Sequence, residues 1–149
     1  MKLKLFYPDI PFWRTEVSRL ALYIGNIEFE DFRPSNEEII KMKKDGTFPF
    51  GQFSILQVNG GTIAQTGAIA RFCDKISGLY PNDKNFNAAK VDKVIDLTKD
   101  INNQIRSVLR EKDQKLKIKK RNNLSDKILP HWLGFLEKKL VKILISVFS

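Results

Sequence analysis

At 149 residues, 42% apolar and 11% aromatic, the chain has the length and mixture of a globular protein with a real core, in one domain or two small ones. Its formal net charge of +9 is uneven: residues 1–80 carry 10 Lys/Arg against 9 Asp/Glu, and residues 81–149 carry 16 against 8. A single cysteine, Cys73, rules out an internal disulfide and reads as a buried small hydrophobe. The first apolar stretch is too short for a signal peptide, and no apolar run approaches the ~20 residues of a membrane span; a cytoplasmic protein outside the membrane is expected.

Residues 2–7 alternate Lys and Leu and end in aromatics, a strand broken by Pro8 and Pro11. Phe12 to Ile24 is periodic and stops at Gly25, which reads as a helix. Ile27 to Phe32 alternates apolar with acidic residues as a second strand. Ser35 with Glu38 three residues later is the pattern of a capping box opening a short helix that ends near Gly46. Phe53 to Val58 and Thr62-Ile63 flank Asn59-Gly60-Gly61, a hairpin whose turn needs positive φ. Gln65 to Ile76 returns to helical spacing. The order βαβαββα is the thioredoxin-like α/β plan over residues 1–77.

Residues 78–83, with Gly78, Pro81 and Asn82, read as a linker, and residues 84–149 as an all-helical domain. Val91, Ile95, Ile101, Ile105 and Val108-Leu109 form one stripe of a long helix, and Ser125 is placed to cap a further helix through Trp132 and Leu140. Lys115 to Arg121 reads as a solvated helix connection. No aromatic is interleaved with its lysines, so bases have no stacking platform and nucleic acid is not expected as a partner. His131 has no Cys/His company, and no metal site is expected.

The segment Ile63 to Phe72, Ile-Ala-Gln-Thr-Gly-Ala-Ile-Ala-Arg-Phe, is similar to the "-A-Q-S-x-A-I-x-R-Y-" at the third helix of sigma-like cytosolic glutathione transferases. A helix start favours an incoming carboxylate, and the resemblance implies that Gln65 and Thr66 hold the γ-glutamyl end of glutathione. Pro49-Phe50-Gly51-Gln52-Phe53-Ser54-Ile55-Leu56 resembles "-P-F-G-Q-L-P-V-L-". It implies a strand edge at Ile55 that pairs with the peptide backbone, with Gln52 adding a side-chain contact. Ser54 departs from the pattern, since the family has there a proline preceded by a cis peptide bond.

Leu5-Phe6-Tyr7 and Arg14-Thr15-Glu16-Val17-Ser18-Arg19-Leu20 are similar to "-L-T-Y-F-" and "-R-A-E-x-x-R-L-" of the same proteins. By that resemblance Tyr7 is catalytic: its hydroxyl would stabilise the glutathione thiolate, the nucleophilic form. The resemblance further implies Lys44 at the glycine carboxylate and a homodimer in which Asp100 of the partner subunit reaches the glutathione amine. Arg71 would lie near the two-fold axis and Phe50 on the loop meeting the partner. Ile10, Phe12, Trp13, Ile105 and Leu109 would wall a pocket for a small hydrophobic electrophile. The expected activity is conjugation of glutathione, as co-substrate, to such electrophiles in detoxification, with no metal. The alternative is a non-catalytic binding or scaffold protein of the same fold. Relative to the family, the helical domain is expected to be incomplete.

Overall fold

The computed structural model describes residues 1–10, 14–81 and 85–148, with side chains described as far as 142. Two compact units are present, Met1–Ile95 and Asp96–Ser149.

In the first unit, β1 (Leu3–Phe6), α1 (Glu16–Ile24), β2 (Glu30–Phe32), α2 (Asn36–Lys44), β3 (Ile55–Val58), β4 (Gly61–Ala64) and α3 (Thr66–Ile76) follow in the expected order. The four strands make one sheet ordered β2-β1-β3-β4. β1 runs parallel to β2, with Phe6 beside Phe32, and antiparallel to β3, with Phe6 beside Ile55. β3 pairs antiparallel with β4, setting Ile55 beside Ala64. Asn59 and Gly60, both at positive φ, make the tight turn between them, while Gly61 already belongs to β4.

Alternation along the strands separates two apolar layers. Leu3, Leu5 and Leu56 pack against Ala21 and Leu22 of α1 and Ile69 and Cys73 of α3, with Ile27 and Phe29 at the margin. On the other side Phe6 and Ile55 meet Phe48, with Phe32, Met42 of α2 and Phe53 around them. Two elements are shorter than their patterns. The second ladder starts only at Glu30, because Ile27 and Phe29 serve core packing before the chain reaches β1. The first helix starts at Glu16, and residues 12 and 13 lie outside the described residues.

The capping box at α2 is complete: Glu38 N–H donates to Ser35 Oγ at 3.2 Å, and Ser35 N–H donates to Glu38 Oε2 at 2.7 Å. Ser35→Ala is expected to lower stability by about 1 kcal/mol, read as a lower urea midpoint with an unchanged slope.

α4 (Asn85–Leu109), α5 (Gln114–Asn123) and α6 (Leu129–Phe148) follow, with a π-helical turn, Leu124–Ile128, joining the last two. Of the expected linker, residues 82 and 83 lie outside the described residues. The expected cap at Ser125 is corrected: the helix continues through it, and Ser125 Oγ donates to the Asn122 carbonyl and to Asp126 at 3.1 and 2.6 Å. Among the described residues no helix is long and apolar enough to cross a membrane.

Candidate functional site

The register of the sheet assembles the site. Phe6, Ile55 and Ala64 lie in one row across β1, β3 and β4. Tyr7, Ser54 and Gln65 each lie one residue beyond that last paired row along their strands, and α3 starts immediately after Gln65 at Thr66. With strands about 4.8 Å apart, the two ends of the paired row, Phe6 and Ala64, are separated by roughly 10 Å, a gap that an extended tripeptide at ~3.4 Å per residue can bridge.

Tyr7 is 5% exposed, its main-chain N–H donating to the Phe32 carbonyl at 3.2 Å and its ring edge-on to Phe53 at 6.1 Å. Burial pushes the Tyr7 phenol above its ordinary value. The Arg14 charge, a hydrogen bond from the Arg14 main chain and the Arg19 charge offset part of that rise, and Glu16 adds to it. The phenol therefore stays protonated at neutral pH, a hydroxyl donor rather than a base. Arg14 was not among the expected functional residues; its signal was its place beside Thr15 in the Arg-Thr-Glu segment.

The loop around Tyr7 is tied down by charge. Arg19 donates from Nε and an Nη to Asp31 Oδ1 at 3.0 and 2.8 Å and also pairs with Glu16. Arg33 bridges Asp31 and Asp9 at 2.9 and 2.7 Å. Burial works against the Asp31 charge. The hydrogen bonds and charges of the two arginines outweigh it and hold its carboxyl below the ordinary aspartate value.

Beyond the other end of the row, Gln65 is exposed with φ +76 and ψ 123, a conformation that costs a non-glycine residue roughly 1–3 kcal/mol. Its side chain does not cap α3. The first-turn N–H groups of α3, at the positive end of the helix dipole, thus have no cap from the Gln65 side chain. Gly67 permits a close approach here, since a Cβ would lie 3.2 Å from an Arg71 Nη and 3.4 Å from Ile95 Cγ2. Arg71 Nε donates to Asp92 Oδ1 at 2.5 Å, as does the Tyr80 hydroxyl at 3.0 Å.

The expected free strand edge at Ile55 is corrected. β3 lies in the middle of the sheet, and Ile55 is fully buried between Phe6 and Ala64. Main chain without a bond to the described residues lies two positions earlier, at Phe53. The Phe53–Ser54 peptide bond is cis, as the resemblance has it for the family's proline.

Gln52 is exposed in the same loop, and Lys44 is exposed at the C-terminal end of α2. Ile10 is exposed, and Phe50 protrudes from its loop. Phe12 and Trp13 lie outside the described residues, while Asp100, Ile105 and Leu109 belong to α4 in the second unit.

A mixed four-stranded sheet with helices on both faces, followed by a helical unit, is the plan of a thioredoxin-like domain joined to an all-α domain. No protein-family profile matches the chain. The chain is 39% identical over 85 residues to Glutathione S-transferase 2 of Caenorhabditis elegans, covering 57% of this chain and 44% of that protein. The solved glutathione S-transferase of Ascaris lumbricoides aligns with a TM-score of 0.77 at 32% identity, over 93% of this chain and 69% of that one. The prostaglandin synthase D structure of Nilaparvata lugens aligns with a TM-score of 0.85 at 27% identity, over 95% and 69%. The chain belongs to the cytosolic glutathione S-transferase family. It spans about half the length of the curated relatives it matches.

Proposed function

We propose that the chain binds glutathione from Tyr7 to the start of α3 and transfers it through its sulfur to a small hydrophobic electrophile. The observation that carries this reading is the row Phe6, Ile55 and Ala64, with Tyr7 one residue beyond its β1 end and Gln65, at an α3 start its side chain does not cap, one residue beyond its β4 end. The γ-glutamyl carboxylate meets the N–H groups of α3, with Thr66 and Gln65 adding directional bonds. Phe53, rather than Ile55, offers main chain to the cysteinyl residue, with Gln52 beside it. The Tyr7 hydroxyl donates to the sulfur, lowering the thiol pKa and holding the thiolate as nucleophile. Lys44 serves the glycine carboxylate. The same reading takes the protein to be a cytoplasmic homodimer in which Asp100 of the partner subunit meets the glutathione amine.

Retention on immobilised glutathione and release by free glutathione test the binding step; a chain that passes through unretained sinks the proposal. Thr66→Val, which keeps the shape and removes the hydroxyl, is expected to weaken glutathione binding about tenfold by calorimetry, the worth of one hydrogen bond to a carboxylate.

A further inference from the structure

Two departures from the family's motifs, Thr15 where the pattern has alanine and Ser54 where it has proline, meet in the fold. Their hydroxyls lie 3.3 Å apart, 39 residues apart in sequence, and each residue is 1% exposed. Thr15 is the N-cap residue of α1, where a threonine hydroxyl ordinarily accepts from the helix's own first-turn N–H groups. Here it makes no cap bond; its backbone is in the helical region and its side chain turns to Ser54 instead. Among the described residues neither hydroxyl has another partner, and neither is left unsatisfied.

Each end of this bond is one residue from the site. Thr15 follows Arg14, whose charge and main chain lie near enough to the Tyr7 phenol to lower its pKa against the effect of burial. Ser54 follows Phe53, whose ring meets that of Tyr7 edge-on, and precedes Ile55, which pairs with Ala64 beside Gln65. We propose that the Thr15–Ser54 hydroxyl pair is a positioning device that fixes the Arg14–Tyr7 corner against the loop before β3, so that the sulfur-facing and backbone-facing parts of the site keep one spacing. This rests on the glutathione reading above for its ligand. The pairing itself stands on the geometry alone. Neither residue touches the ligand; both act through their neighbours.

The physics of a buried hydroxyl pair separates positioning from mere packing. Removing one hydroxyl leaves the other buried without a partner, whereas removing both leaves none unsatisfied. Full-length Thr15→Ala and Ser54→Ala are each expected to lower the thermal midpoint, raise the glutathione Kd about tenfold and speed amide exchange at Arg14 by a similar factor. The double variant is expected to recover the midpoint while Kd and Arg14 exchange stay at the level of the single variants, because stability has returned but the tie has not. Thr15→Ser, which keeps the hydroxyl, is expected to match wild type in all three. A double variant with wild-type Kd and Arg14 exchange overturns the proposal and leaves a packing pair. If the wild-type chain does not bind glutathione, the ligand reading falls, and exchange at Arg14 across the same four variants still decides the positioning role.

Discussion

Tyr7→Phe is expected to leave a folded protein that binds glutathione within about threefold of wild type yet conjugates it about a hundredfold more slowly. The variant keeps the ring that packs edge-on to Phe53 and loses only the hydroxyl. A hundredfold is about 2.7 kcal/mol, the worth of a thiol pKa lowered by two units. The direction of the Tyr7 shift gives the sign of the pH dependence. Its phenol is raised by burial, so the O–H remains a donor across the assay range and does not itself produce a limb in the profile. Wild-type activity should rise with pH as the bound thiol ionises. In Tyr7→Phe that rise should move up by about two units, toward the ordinary thiol value near 8.5. Equal inactivity of both proteins, with glutathione binding intact, would instead support the non-catalytic binding module.

What the sequence reveals here depends on how local the cause is. The capping box at Ser35 and Glu38 and the Asn59-Gly60 turn are set by residues within four positions of one another, and both are present. The helix start at Gln65-Thr66 is legible for the same reason, although the positive φ of Gln65 is visible only in the structure. Ile55 is read differently in the fold because an edge is a property of strand order. With β3 between β1 and β4, a pattern that looks like an accessible strand becomes the centre of the sheet. Thr15 and Ser54 each register in the sequence only as a departure from a motif, and their meeting across 39 residues requires the fold. Ser125 is misread because a serine ahead of an apolar run signals a helix start only if the preceding segment is not helical. The Lys-rich stretch before it proves to be α5, entered through Asp113, which caps it by accepting from Leu116 N–H at 2.7 Å.

Gly25→Ala is expected to destabilise the first unit by about 3 kcal/mol, against the usual direction of a glycine-to-alanine change. Gly25 closes α1 with φ −75 and ψ 0, a conformation open to alanine, so backbone preference alone would favour the variant by about 0.4–1 kcal/mol. Space decides otherwise. A Cβ at Gly25 would lie 2.5 Å from Ser77 Cβ and 2.7 Å from both Ser77 Cα and Oγ, where the C-terminal end of α3 crosses that of α1. Because one of these atoms is backbone, a rotamer change at Ser77 cannot relieve the overlap. The two helices would have to part over the Leu5, Leu22 and Cys73 layer they cover. Ser77 also has a buried Oγ without a hydrogen-bond partner among the described residues, so the site holds a polar atom that nothing anchors. Ser77→Gly in the Gly25→Ala background removes Cβ and Oγ but leaves the overlap with the Ser77 main chain, and should return part of the loss. Thermal unfolding checks both, at roughly 2–4 °C per kcal/mol for a chain of this size. A Gly25→Ala protein as stable as wild type would mean that the helix ends separate freely, and that the close approach of α1 and α3 does not hold the layer behind Tyr7 in place.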